Sequence, residues 1–230
     1  MPGRTPELRA VFFDAVGTLL FPNPAAYVVY AGVARRAGFP LEPSTVRERF
    51  VEAYRTQELI DMQAGWITSE ERECDRWRAI VAATLRGVPD AEACFRELFE
   101  HFAKPDAWRV APDAAQVLGM LLERGLSVGV GSNYDSRLVS VLDGLPELAP
   151  LCDRVVVSAA VGYRKPAQEF FREVVRVADC QAQQVLFVGD DIENDYTGAT
   201  AAGLNAVLLD DRDRYPLLQN RIERLTQLMG

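Results

Sequence analysis

The chain has 230 residues, enough for one sizeable core plus a smaller appended unit, or for a single large α/β domain. Its 49% hydrophobic and 25% charged residues are the ordinary balance of a soluble globular protein. A formal net charge of −8 argues against nucleic acid or an anionic membrane as main partner, but leaves anionic small molecules open, because a metal ion and a few local donors can dominate a site.

Positive charge is almost all arginine. Lys104 and Lys165 are the only lysines, so a lysine placed in a cleft is an informative residue here. Cys74, Cys94, Cys152 and Cys180 are scattered without a C-x-x-C pair. They read as reduced, small apolar side chains and not as a zinc site or a disulfide framework. No stretch has the charged start and apolar centre of a signal peptide, and no apolar run approaches membrane-spanning length, so a cytoplasmic location is expected.

In chain order, residues 1–8 read as a loose polar lead-in. Ala10, Val11, Phe12 and Phe13 form an uninterrupted apolar run, as a central strand of a parallel sheet requires. It delivers Asp14 to the carboxyl edge, where open α/β sheets place their ligands. Gly17 permits a tight turn, and Thr18 brings a hydroxyl to the same spot. Alone, Asp14 is equally a turn cap, a metal ligand or a nucleophile. From Pro22 and Pro24 onward, residues 24–37, 43–59, 68–86 and 90–103 carry apolar residues at helical spacing, with Pro43-Ser44 and Thr68-Ser69-Glu70-Glu71 as start signals. This stretch reads as a helical insert, closed by Lys104-Pro105-Asp106.

Beyond it, an amphipathic helix from Pro112-Asp113 to Arg124 opens a strand–helix alternation. Strands are expected at 126–130, 154–157, 185–188 and 206–209, and helices at 135–143, 167–178 and 194–202. Leu217, Leu218, Ile222, Leu225 and Leu228 suggest a terminal helix. Such alternation implies a doubly wound parallel sheet, an α/β fold with helices on both faces. The strand ends carry the chemistry: Gly131-Ser132-Asn133, then Gly162-Tyr163-Arg164-Lys165-Pro166, then the acidic run from Gly189-Asp190-Asp191 to Asp195. Each alone is ordinary turn or helix-start chemistry. All four falling at carboxyl ends of strands is a site.

Asp14-x-x-Gly17-Thr18-Leu19, Ser132-Asn133, Lys165-Pro166 and Gly189-Asp190-x-x-x-x-Asp195, in that order, resemble the four motifs of the haloacid dehalogenase superfamily. The resemblance covers essentially the whole chain and points to the branch with a helical cap. It implies a Rossmann-like core from residues 1–21 and 107–230, and a cap from 22–106. It also implies roles: Asp14 as nucleophile toward a phosphoryl group and ligand of Mg²⁺, Asp190 as a second ligand, and Asp195 in or behind the metal's coordination sphere. Thr18, Ser132 and Asn133 would position phosphate oxygens or the nucleophile, and Lys165 would offset their charge. The phosphatases of the superfamily carry Asp two residues after the nucleophile as general acid and base. This chain has Val16, whose backbone carbonyl can reach the metal but whose side chain cannot move a proton. A missing positioned acid–base costs about 10²- to 10⁴-fold in rate.

The preferred reading is a Mg²⁺-dependent phosphatase acting on a small phosphorylated metabolite through an aspartyl-phosphate. The alternatives are a weak phospho-ligand-binding or regulatory protein and a 2-haloacid dehalogenase, with phosphonate cleavage last because the insert proper has no lysine. His101, the only histidine, is assigned to packing or helix-dipole compensation in preference to acid–base chemistry. Trp66, Trp77 and Trp108 are assigned to packing. The insert's arginines, among them Arg35, Arg36, Arg47, Arg49, Arg55, Arg76 and Arg78, are assigned mostly to a solvated face.

Overall fold

The computed structural model describes residues 7–229; the lead-in expected at the start of the chain lies, up to residue 6, outside them. Strand β1 (Ala10–Phe13) is buried along its whole length, and its side chains alternate between two cores. Val11 and Phe13 face one side with Val128, Val130 and Val188; Ala10 and Phe12 face the other with Val185 and Phe187. That two-sided burial is why the run is continuously apolar and needs a partner layer on each face.

The sheet contains β4 (Ser127–Ser132), β5 (Val155–Val157), β6 (Val185–Gly189), β7 (Asn205–Leu209) and β8 (Arg221–Ile222) in the order β5-β4-β1-β6-β7-β8, with every pairing parallel. Helices α5 (Ala114–Glu123) and α6 (Arg137–Asp143) cover one face through Val117, Leu118, Leu121, Leu138 and Leu142. Helix α8 (Gln168–Ala178) covers the other through Phe170, Phe171 and Val174. The register aligns Phe13 with Val130 and with Val188, so the neighbouring strands on both sides of β1 end beside Asp14.

Residues 26–101 form four helices: α1 (Ala26–Arg36), α2 (Pro43–Gln63), α3 (Glu70–Thr84) and α4 (Ala91–His101). They share their own core of Tyr30, Val33, Val46, Val81, Leu85, Phe95 and Leu98. Ser69 and Asp90 cap α3 and α4 by accepting from Arg72 N–H (3.1 Å) and Ala93 N–H (2.8 Å). The chain enters and leaves this layer through β2 (Leu20–Pro22) and β3 (Trp108–Val110), an antiparallel pair that the sequence pattern does not reveal because each strand is three residues long.

Two further departures have physical causes. The terminal helix expected beyond residue 215 is absent: the chain forms β8 and a 3₁₀ turn over Leu225–Met229, and Leu217 is 95% exposed. Buried Asp210 draws the N–H groups of Arg214 and Tyr215 (2.9 and 2.8 Å) into a turn, and Pro216 then disfavours helical backbone before it. The helix expected at 194–202 is instead a π-helical segment over Ile192–Thr197 that runs into the short α9 (Gly198–Ala201). No helix among the described residues is long and apolar enough to cross a membrane.

The helical layer is fastened to the sheet side by a buried ionic network. Arg164, in the loop before α8, pairs with Glu73 of α3 and with Glu58 of α2 (3.2 Å). Arg76 of α3 pairs with Glu58 and with fully buried Asp61 (2.8 Å), which Arg72 also engages. Arg76 is therefore no part of a solvated face: it is 1% exposed, with its guanidinium 4.6 Å from the Tyr54 ring. Backbone bonds from Thr68 N–H to Gly162 O (3.0 Å) and from Arg164 N–H to Trp66 O (2.8 Å) run alongside. Arg164→Met would leave Glu73 buried with the Thr68 hydroxyl (2.9 Å) as its remaining side-chain partner. Stripping one partner from a buried pair costs about 3–5 kcal/mol, so urea unfolding of that variant should show a loss of this size.

Candidate active site

Asp14 follows β1 directly and is anchored by its own N–H to Val188 O (2.8 Å). Its Oδ1 accepts from Ser132 Oγ (3.1 Å), at the end of β4, and from Lys165 Nζ (2.6 Å). Lys165 also donates to Asp195 Oδ1 (2.6 Å) and to Gly131 O (3.0 Å), and is 2% exposed. Burial pushes its ammonium toward losing the proton, but Asp14 and Asp195 together outweigh that and hold it charged. Lys165 is thus fixed by three acceptors from three strand ends.

Asp190 and Asp195 both follow β6. Asp195 sits in the π-helical segment, where its Oδ2 accepts from Asp191 N–H (3.0 Å), so the wider turn brings this carboxylate back over its own strand end. Gly17 has φ +103°, and a Cβ there would collide with the Asp190 carboxylate. A Cβ on Gly189 would collide with Asp195 in the same way. Both glycines make room for acids. Oxygens of Asp14, Asp190 and Asp195 lie within 4.8 Å of one another. Burial, then the charges of Asp14, Asp195 and Asp191, push the Asp190 carboxyl up to about 8. Burial also raises Asp195 to about 6, against the pull of Lys165. Three carboxylates against one ammonium leave an uncompensated anionic corner, and an all-oxygen donor set of this kind suits a hard divalent cation. Three hydrogen bonds close the turn after Asp14: Leu19 N–H and Leu20 N–H both donate to Ala15 O (2.9 and 2.8 Å), and Gly17 N–H donates to Leu20 O (2.9 Å). None of them uses the Val16 carbonyl.

The site residues expected from the sequence converge, with two differences. Asn133 is committed to the loop that carries the lysine: its Oδ1 accepts from Lys165 N–H (2.7 Å) and its Nδ2 donates to Lys165 O (3.1 Å). It positions Lys165. Thr18 is fully buried, its hydroxyl has no hydrogen-bond partner among the described residues, and it does not line the cavity.

That cavity, of about 260 Å³, lies between these strand ends and the helical layer. Val16 lines it and is 37% exposed. Trp77 and Trp108, assigned to packing from the sequence, line it too, as do Tyr54, Phe95, Phe99 and Phe102. The spacing of Phe95, Phe99 and Phe102 was the available signal for this wall, but helical periodicity alone does not separate a pocket face from a core face. None of the insert's arginines lines the cavity. His101 also stays outside, edge-on to Phe102 (ring centroids 4.9 Å apart), with its pKa pushed down by burial.

A parallel sheet that gathers three carboxylates and a buried lysine at one carboxyl edge, beneath a helical layer, places the chain among α/β enzymes that work at strand ends. The chain belongs to the haloacid dehalogenase-like hydrolases, whose sequence profile matches residues 8–203. It is 34% identical over 211 residues to haloacid dehalogenase-like hydrolase domain-containing protein 3 of Mus musculus, covering 88% of this chain and 82% of that protein. It is 29% identical to ribulose-1,5-bisphosphate 5-phosphatase of Halopiger xanaduensis, over 87% of this chain and 84% of that one. The fold matches the structure of L-2-haloacid dehalogenase from Xanthobacter autotrophicus with chloropropionic acid covalently bound, at a TM-score of 0.73, with 18% identity and 96% of both chains covered.

Asp190 also gives a stability test. Its carboxyl holds a proton more tightly folded than unfolded, so its contribution is full below the ordinary carboxylate pKa and is lost as pH rises toward about 8. In chelator, thermal unfolding of the unmodified protein should lose on the order of 2 kcal/mol between pH 5 and pH 8 that Asp190→Asn does not lose.

Proposed function

We propose that the protein is a Mg²⁺-dependent hydrolase of phosphate esters of small metabolites, with Asp14 as the group that takes the phosphoryl unit. The observation that carries this reading is the placement of Lys165 between Asp14 and Asp195, with Asp190 as an additional carboxylate in reach. A dehalogenase has no use for that additional acid. Residues 22–106 act as a cap over a core of residues 1–21 and 107–230, and the cavity between them receives the substrate. The relative from Halopiger xanaduensis, a phosphatase by name, favours phosphate esters for this chain as well.

Asp14, Asp190 and the Val16 carbonyl, with Asp195 in support, would hold Mg²⁺, which supplies positive charge for phosphoryl oxygens when bound. The protein's own groups do the rest. Lys165 and Ser132 both hold Asp14 Oδ1, which fixes the carboxylate plane and leaves Oδ2 without a side-chain partner among the described residues. A carboxylate so oriented attacks phosphorus in line, expels the alcohol and forms an aspartyl-phosphate that water then cleaves. Asn133 keeps the Lys165 backbone in place, so the ammonium stays beside the developing negative charge.

Proton movement is the weak step. Val16 occupies the position of the superfamily's acid–base, and Asp191 is committed to capping Glu193 and Asn194 N–H groups (2.9 and 2.8 Å). An activated aryl phosphate, whose phenolate leaves without a proton, should therefore turn over faster than an alkyl phosphate. Asp14→Asn should abolish turnover of p-nitrophenyl phosphate. Retention of wild-type activity by that variant would refute the covalent route. Assays of phosphate esters with and without Mg²⁺, run beside 2-haloacids, separate this reading from the dehalogenase one.

Calorimetric titration tests the metal independently of turnover. Mg²⁺ should bind the unmodified protein, and Asp190→Asn should weaken that binding at least tenfold. Equal binding by the two proteins would move the metal elsewhere.

A further inference from the structure

We infer that the cavity selects a phosphate monoester whose leaving group carries a flat, apolar ring, and that it discriminates against sugar phosphates and bisphosphates. This rests on the phosphate-ester reading above and names the substrate class for that same site. The helical layer contributes Tyr54, Trp77, Phe95, Phe99 and Phe102 to the cavity wall, and Trp108 of β3 continues it. Two pairs of these rings pack together: Phe95 and Phe99 have centroids 5.1 Å apart, and Phe102 and Trp108 5.7 Å. Val16, Val81 and Leu98 fill the gaps between them.

Charge excludes a second anionic group. No charged side chain of α1–α4 lines the cavity among the described residues. Its cations are Lys165 and Arg137. Lys165 is spent on Asp14 and Asp195. Arg137 makes two 2.7 Å bonds to Asp135, donates to Phe99 O (2.9 Å) and lies 3.4 Å from the Phe99 ring centroid. A second phosphate would enter an aromatic box with no free counter-charge, and desolvating it there would be unfavourable.

Rings also stack on sugars, but a sugar brings hydroxyls that need partners. On the roof side the polar atoms are largely taken, and the side-chain groups left open among the described residues, the Asn194 amide and Asp191 Oδ2, belong to the acidic strand edge. Trp108 Nε1 and Tyr134 Oη both donate to Phe102 O, at 3.1 and 3.2 Å. On the helical wall the remaining polar points are the hydroxyls of Tyr30 and Tyr54 and the indole N–H of Trp77. Three points spread among rings match a flat apolar group better than a polyol. The volume of about 260 Å³ leaves room for one ring beside the phosphoryl group, since an apolar cavity of roughly 150 Å³ already takes a benzene molecule.

The test uses three alkyl phosphates, so that leaving-group acidity does not favour the ring: 2-phenylethyl phosphate, glycerol 3-phosphate and fructose 1,6-bisphosphate. With Mg²⁺ present, kcat/KM for the phenylethyl ester should exceed that of each of the others about tenfold or more. Trp77→Ala should narrow that ratio. If p-nitrophenyl phosphate is hydrolysed in an Asp14-dependent way but the glycerol or fructose ester matches the phenylethyl one, the selectivity is wrong and the phosphatase reading stands. If no phosphate ester is hydrolysed, the phosphatase reading fails, and binding decides the selectivity. Calorimetry should then give 2-phenylethylphosphonate at least tenfold tighter binding than 2-hydroxyethylphosphonate. Equal binding of the two would overturn the inference.

Discussion

Everything at the site depends on one buried ammonium. Lys165 Nζ sits 2.6 Å from Asp14 and 2.6 Å from Asp195, and those carboxylates arrive from different strands. Without it, three acids would share a space that burial has stripped of solvent, and their repulsion would open the carboxyl edge of the sheet. The lysine is itself held from outside the acid cluster by Gly131 O and, through its backbone, by Asn133. The end of β4 therefore sets where the ammonium lies, and the ammonium sets where the acids lie. Parallel pairing of β4, β1 and β6 in one register makes this possible, because it brings Gly131, Asp14 and Gly189 to one edge.

A second set of buried charges works at the other end of the same loop. Arg164 precedes Lys165 and anchors to Glu73 and Glu58 of the helical layer. Two adjacent cations thus point to different partners, one to the acids at the strand ends and one to the helices that roof them. The layer is also tied by Glu70 of α3, which accepts from Ser136 N–H (2.9 Å) and Ser136 Oγ (3.2 Å). Paired strands at its base, backbone bonds along one seam and carboxylates at two others tie the layer that carries the aromatic wall to the rest of the chain.

The strand-end residues were legible in the sequence because each is announced locally. An apolar run ends, a glycine allows the turn, and an acid, hydroxyl or lysine follows. Parallel topology then brings the ends together without long-range information. What was not legible depends on which way a helix faces. Arg76 looks like a surface arginine until Asp61 and Glu58, 15 and 18 residues earlier, are seen against it. Trp77 and Phe99 look like core residues until the cavity is seen beside them. Nor does the sequence reveal that Asn133, which lines the cavity, also grips the Lys165 backbone with both ends of its amide. The terminal segment failed for a different reason: its leucines carry a helical period, but the side chain of Asp210 competes for the backbone N–H groups that a helix would need.

Val16 belongs to both halves of this picture. In the proposed mechanism it removes a proton relay beside Asp14; as a side chain lining the cavity it adds an apolar surface between the aromatic wall and Asp14. A carboxylate there would add a further acid to the cavity lined by Asp190, whose pKa burial and the existing charges already push up to about 8. It would also draw water into the region where the ring of a substrate is inferred to lie. Valine avoids both effects. It keeps the boundary between the ionic strand edge and the apolar roof sharp. If Asp14 takes a phosphoryl group as proposed, Val16 is a trade in which proton transfer at the leaving oxygen is weakened while apolar recognition of the leaving group is kept.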